Sequence, residues 1–190
     1  MKRTEKVVEK RGPFTVTHRQ TIHEDFNLQL VVDEVEGLDG HKVDRIWIDF
    51  PQEAVMIFPV DDESNIYLTR EYTYATSQFS TEVPGGAIEV GEAPEVAAER
   101  ELREELGLKS KLLTYLGQTC EITSLVNHST HLFLAEGVQV VGHARLEPGE
   151  IIEKYIVPLE VAYQMIDNGE ITSAVVEIGL WRLRRLLSTR

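Results

Sequence analysis

Apolar positions recur in two rhythms along this chain. In the first half they form short runs with β-branched and aromatic content. These are T-V-T around Val16, L-Q-L-V-V at 28–32, R-I-W-I-D-F at 45–50 and A-V-M-I-F-P-V at 54–60, the composition expected of strands. Asp39-Gly40 between two of the runs is a hairpin signal. A turn at 61–65 leads to another strand pattern at 66–72, a polar loop-like stretch at 73–80, and Gly85-Gly86. From Pro94 the rhythm changes. Residues 94–106 are mostly Ala, Leu, Glu and Arg, with Pro94 suited to the first helical position and Gly107 to the left-handed residue that ends a helix. Strand patterns return at 112–118 and 131–135, flanking an irregular stretch at 119–130, and again at 138–141 and 151–157, with a loop at 146–150. Two helices close the chain, 158–168 and 174–187. The first starts at Pro158 and ends before Gly169. The second carries Leu180, Trp181, Leu183 and Leu187, and its Arg182, Arg184 and Arg185 suit the negative end of the helix dipole. The order of elements predicts an α+β sandwich. Residues 1–12 are charged and close on Gly12-Pro13, so part of this arm is expected to be disordered.

The 190 residues suffice for a substantial core, with 42% hydrophobic and 27% charged residues. A formal net charge of −13 argues against a nucleic-acid partner, which would want clustered Lys and Arg. An anionic small molecule is compatible, because metal ions can carry positive charge locally. Cys120 is the single cysteine, which excludes an intramolecular disulfide and a CxxC metal site. No apolar run is long enough to span a bilayer, and the N-terminus lacks the apolar core of a signal peptide; a cytoplasmic protein is expected.

The helix at 94–106 changes the picture most. Glu101, Glu104 and Glu105 fall on one face, with Leu102 and Leu106 as the adjoining apolar stripe and Arg100 one turn before Glu104. Six glutamates and two arginines lie between 92 and 105. Two carboxylates about 6 Å apart repel by roughly 3 kcal/mol at an effective dielectric of 20. A hard divalent cation reverses that sign, and Mg²⁺ typically shares itself between carboxylates and substrate phosphates. Charge alone also allows a solvated acidic face.

The spacing decides between them. The stretch from Gly86 to Leu108 resembles the Nudix box, G-x5-E-x7-R-E-U-x-E-E-x-G-U, with U a bulky aliphatic. Gly86, Glu92, Arg100, Glu101, Leu102, Glu104, Glu105, Gly107 and Leu108 fill every defined position. A chance match in a chain of this length is on the order of 10⁻⁷ at average composition. The resemblance implies a metal-dependent hydrolase of a nucleoside diphosphate linked to a further moiety, folded as an α/β/α sandwich of mixed sheets. Weaker likeness to the ADP-ribose and sugar-nucleotide pyrophosphatase branch covers roughly 25–187, through Arg70-Glu71-Tyr72, Glu82-Val83-Pro84-Gly85-Gly86 and His131-Leu132-Phe133-Leu134-Ala135. That branch implies an N-terminal β layer, here residues 1–50, serving dimerisation and the pocket, ahead of a hydrolase domain at 51–190. A homodimer is expected.

By the same resemblance Glu101 and Glu105 bind Mg²⁺, or Mn²⁺, with Glu104 as a further ligand or catalytic acid and the carbonyl of Gly85 as another donor. Arg100 supports catalysis by holding Glu104, and Glu92 orients the group. A loop acid after the box completes the site; Glu150 fits the family pattern best, with Glu147 and Glu153 as alternatives. Arg70 is a candidate for substrate phosphate or for a surface salt bridge. Glu82 is a candidate acceptor for a nucleoside donor or a solvated strand-end acid. Trp47 reads as core or interface, and His128 and His131, three apart outside a helix, as weak metal candidates. Two departures alter the expected pocket: Thr73 stands where the branch has a second arginine, and residues 109–126 contain no proline. The expected reaction yields a nucleoside monophosphate and a sugar phosphate. Alternatives are a triphosphate, a dinucleoside polyphosphate or coenzyme A as substrate, or a non-catalytic nucleotide sensor.

Overall fold

The alternation of side chains in the strands sets the layering. A computed structural model describes residues 3–25, 27–146 and 151–189, and contacts divide the chain into two units, residues 1–52 with 120–128, and residues 53–119 with 129–190. In the first unit the chain runs through β1 (Arg3–Arg11), β2 (Phe14–Glu24), β3 (Gln29–Glu36) and β4 (Lys42–Asp49). The second unit holds β5 (Ala54–Val60), β6 (Asn65–Thr73), β7 (Gln78–Glu82), β8 (Gly85–Ala87), α1 (Pro94–Leu106), β9 (Leu108–Lys109) and β10 (Leu112–Thr119). The chain re-enters the first unit for β11 (Val126–Asn127). It then finishes with β12 (Thr130–Glu136), β13 (Gln139–Val140), β14 (Ile152–Pro158), α2 (Leu159–Asp167) and α3 (Ala174–Leu187).

The first unit is one sheet in the order β1-β2-β3-β4-β11, antiparallel except for the last pair. Its period-two pattern is clearest in β3, where Val31, Asp33 and Val35 are buried and their neighbours are not. The charged arm expected to be partly disordered is strand β1 from Arg3 onward. It pairs with β2 along nearly its whole length, which main-chain bonds permit whatever the side-chain charge. The stretch at 119–130, irregular in sequence, supplies β11 to this sheet. Cys120 is free, and its Sγ lies 3.9 Å from the Val126 carbonyl.

The second unit is an α/β/α sandwich. Its central sheet runs β10-β12-β5-β6-β14, with β7 on β6 and β8 on β5. Strands β5 and β12 are apolar at successive positions because both faces are covered. Val55, Ile57, Phe133 and Ala135 face Ala97, Ala98, Leu102 and Leu106 of α1. Phe58, Leu132 and Leu134 face α2 and α3 through Ala162, Val176, Leu180 and Leu183. A Cβ at Gly179 would collide with the Phe58 ring, so α3 approaches the sheet only because that residue is glycine. The helix at 94–106 has the boundaries its caps predict, with Gly107 at φ 64°. The polar stretch at 73–80 is not wholly a loop, since β6 and β7 extend into it as a hairpin. Arg182 does not serve the dipole of its own helix: it donates to the Leu116 and Gln118 carbonyls of β10 at 3.1–3.3 Å.

Candidate active site

Two glycines let a strand and an acidic helix touch. Strand β8 pairs antiparallel with β5, placing Gly85 opposite Met56 and Gly86 opposite Val55. A Cβ on Gly85 would run into the Val55 carbonyl, and one on Gly86 into the Glu101 carboxylate. The N–H of Gly85 donates to Glu105 Oε1 at 3.3 Å. Glu105 is buried beside the apolar stripe of α1, at 7% exposure, which is rare for a carboxylate.

Arg100 gathers the other acids. Its Nε and Nη2 form a fork on Glu92, at 3.0 and 2.9 Å. Nη1 reaches Glu101 at 2.7 Å and Glu104 at 3.2 Å, and Nη2 also donates to the Ala87 carbonyl at 2.9 Å. The pairing with Glu104 expected from helical spacing is present, but the shorter bonds go to Glu92 and Glu101. Gly91, at φ 83°, makes the turn that precedes α1, and Glu92 Oε2 also accepts from the Glu89 N–H at 3.0 Å. The bonds from Arg100 and Glu89 hold Glu92 below the usual carboxylate range, and Glu92 in turn holds Arg100 further above its ordinary value. Three carboxylates around one guanidinium leave this cluster two charges short of neutrality. Glu101 is 12% exposed and Glu104 47%, so Glu104 offers the accessible oxygen atoms.

The donor chemistry of this cluster fits a hard divalent cation. All its donors are oxygens, its charge is in deficit, and the missing Cβ of Gly86 leaves room at Glu101. As the side chains stand, no group of three or more His, Cys, Asp or Glu among the described residues is placed to hold an ion. Arg100 occupies the centre instead, so a cation would take Glu101 or Glu104 over from the guanidinium.

The remaining candidates are spread over several elements. Arg70 on β6 pairs with Glu153 on β14 at 3.4 Å, both more than half exposed, and lies over the Phe79 ring at 4.3 Å. Glu82 ends β7, opposite Thr69. Burial pushes its carboxyl above the ordinary value, against the opposing hydrogen bonds of Ser173 and Ser80. Glu147 and Glu150 lie outside the described residues. His128 neighbours Glu121 and Phe50 in the first unit, whereas His131 bonds Glu53 and Tyr115 in the second. Trp47 donates to buried Asp33 at 3.0 Å. Sequence reasoning missed the Arg100–Glu92 fork, because the two residues sit eight apart across a turn that no periodicity predicts.

The Nudix domain model matches residues 50–175. The chain belongs to the Nudix family. It is 32% identical over 148 residues to an ADP-ribose pyrophosphatase of Bacillus subtilis, covering 77% of this chain and 80% of that one. It is 26% identical over 161 residues to a CMP-5'-(N-acetyl-N-hydroxy-3-aminopropyl)phosphonate hydrolase of Streptomyces rubellomurinus, covering 85% and 77%. The crystal structure of an ADP compounds hydrolase shares the fold, with a TM-score of 0.85, 23% identity and coverage of 95% and 97%. The chain is thus a Nudix hydrolase, an enzyme of pyrophosphate bonds on an α+β Nudix fold. Nudix hydrolases in general use divalent metal ions. No described helix is long and apolar enough to cross a membrane.

Proposed function

We propose that this Nudix hydrolase is a Mg²⁺-dependent pyrophosphatase of ADP-ribose or another nucleoside diphosphate sugar. Water adds across the P–O–P bridge, and the products are a nucleoside monophosphate and a sugar phosphate. The observation that carries the chemistry is the carboxylate surplus around Arg100 beside Gly85 and Gly86. The substrate class is supported by the relative named an ADP-ribose pyrophosphatase, matched over most of both chains.

In this reading Glu101 and Glu105 would hold the cation with the Gly85 carbonyl, and Glu104 would contribute a further carboxylate. Bound there, a divalent ion supplies Lewis-acid polarisation of the phosphoryl oxygens. Arg100 is a positioning residue that fixes Glu92, Glu101 and Glu104 relative to Gly85 and Gly86. Glu150 is the loop acid that assists proton transfer from water. Arg145, which precedes it by five residues in sequence, donates its N–H to the Glu104 carbonyl at 2.6 Å. Arg70 meets substrate phosphate after giving up an exposed ion pair, which is worth little. Glu82 accepts from a nucleoside donor.

A second reading has one specific support: the relative whose name specifies a CMP-linked phosphonate. Thr73, in place of a second arginine, is consistent with a pocket altered from the ADP-ribose type. The test is a panel of ADP-ribose, ADP-glucose, GDP-mannose, UDP-glucose, a CMP-linked phosphonate, a nucleoside triphosphate and coenzyme A, with Mg²⁺ and then Mn²⁺. A nucleotide sugar should give the highest kcat/KM. Highest turnover on the triphosphate or coenzyme A, with every nucleotide sugar inert, would overturn the substrate assignment.

A further inference from the structure

A second charged feature lies at the other end of α1, and its sign is opposite. Arg103, Lys109, His143 and Arg145 line a cavity of about 690 Å³, with Glu104 as the one acid among the described lining residues. The chain as a whole carries a formal net charge of −13, so a cation-lined cavity runs against its bulk composition. Main-chain bonds fix the walls. Strand β13 pairs with β9, and Val141 and Gly142 donate to the Gly107 carbonyl at 2.9 and 3.3 Å. Gly107 has no Cβ to collide with the Gly142 carbonyl. Arg145 is tethered to the Glu104 carbonyl through its own N–H.

A helix C-terminus attracts cations, which would be the ordinary reason for such a cluster. Here the carbonyls of Arg103, Glu104, Leu106 and Gly107 are already served. Glu104 and Gly107 accept from the loop amides, and Leu106 accepts from Lys154 Nζ at 3.4 Å. Among the described residues, the side chains of Arg103, Lys109, His143 and Arg145 make no hydrogen bond and no ion pair, unlike Arg100 in the same helix. Like charges held around one cavity by main-chain geometry repel until an anion enters. Guanidinium and ammonium donors suit phosphate oxygens best.

We propose that this cavity is an anion site for a phosphate monoester dianion, with Arg103, Lys109 and Arg145 as its ligands. The dianion is free orthophosphate or the phosphoryl group of a sugar phosphate. Glu104 belongs both to this cavity and to the Arg100 cluster, so an occupant sits next to the reacting centre and its presence modulates turnover. That consequence rests on the proposed nucleotide-sugar pyrophosphatase reading; the binding itself does not.

The test uses the full chain stripped of metal with chelator, titrated by calorimetry with inorganic phosphate and with ribose 5-phosphate at chloride-matched ionic strength. One saturable site is expected. Lys109→Gln and Arg145→Gln should each weaken it roughly ten-fold, and the double variant more, as for loss of charge-assisted bonds. Glu101→Gln should leave it unchanged, because the site does not depend on the box cation. Both cavity substitutions are at exposed side chains, and unchanged circular dichroism and melting temperature establish folding. Tighter binding of ribose 5-phosphate assigns the site to a substrate-derived group, and tighter orthophosphate to the free anion. No saturable binding of either probe, or equal affinity in wild type and double variant, overturns the proposal. Phosphate binding in a chain inert on the whole substrate panel sinks the proposed substrate reading alone; turnover without phosphate binding sinks this site alone.

Discussion

Two arginine–carboxylate clusters in this chain use the same chemistry in different proportions, one balanced in charge and one rich in acid. In the N-terminal sheet, Asp33 is 1% exposed and accepts from Arg19 at 2.7 and 2.9 Å and from Trp47 at 3.0 Å. Arg11 lies over the Trp47 ring at 4.2 Å, and Glu9 sits 3.3 Å from Arg19. Two arginines face two acids there, and the buried charge is satisfied by donors from neighbouring strands. Such a cluster is balanced in charge and has no use for a further cation. At the box the balance is lost: one guanidinium serves Glu92, Glu101 and Glu104, with Glu105 buried close by. What marks a site for a metal is the surplus of charge, which folding alone would not select.

The largest effect that sharpens this contrast is on turnover. Glu101→Gln and Glu105→Gln should each lower kcat by about 10²-fold or more at saturating Mg²⁺, since each removes a proposed metal ligand. Without metal, their melting temperatures should be unchanged or raised, because like-charge repulsion is relieved. Asp33→Ala should leave kcat within the same order of magnitude. Near-wild-type turnover in both glutamate variants would erase the distinction between the clusters.

The reverse experiment is on stability. Removing one partner of a buried ion pair leaves an uncompensated charge and costs about 3–5 kcal/mol. Asp33→Ala should therefore lower unfolding free energy by roughly 3 kcal/mol in urea titrations, because Arg19 and the Trp47 N–H lose their acceptor. A loss in Glu101→Gln as large as that in Asp33→Ala would show that the box cluster is structural too.

The two clusters were unequally legible. The box could be read from sequence because its spacing is helical: Glu101, Glu104 and Glu105 follow from 100° per residue, and Pro94 and Gly107 bound the helix. The sandwich was legible for a related reason, since β5 is apolar throughout and β12 is apolar from Leu132 to Ala135, so both need cover on both faces. The Asp33 cluster was not, because its members meet only through cross-strand register, Asp33 opposite Arg19 on one side and Arg45 on the other. The cationic cavity was hidden likewise. It exists because residues 139–145 return to the end of α1 through main-chain bonds, which carry no side-chain signature. Strand β1 was missed because charge reads as disorder, while an edge strand tolerates charge on its side chains.

A third acid extends the comparison to a carboxylate that has hydroxyl partners, and it gives the smallest expected effect. Ser173 and Ser80 hydrogen-bond Glu82, but burial outweighs them and the carboxyl binds its proton more tightly than in the unfolded chain. A raised acid contributes stability that is complete below the ordinary carboxylate value and is lost as pH rises through the raised one. Glu82→Gln keeps the shape and removes that loss. Its stability relative to wild type should therefore grow as pH rises from the ordinary carboxylate value through the raised one, and level off above it. Glu92 has the opposite dependence, since Arg100 and Glu89 hold it low and its contribution disappears only on acidification. Urea midpoints of wild type, Glu82→Gln and Glu92→Gln between pH 3 and 7 would separate the two, the first gaining on wild type as pH rises and the second falling behind it. A flat difference for Glu82→Gln would mean that its hydroxyl partners fully replace water, and that a charged partner is not what distinguishes a comfortable buried acid in this fold.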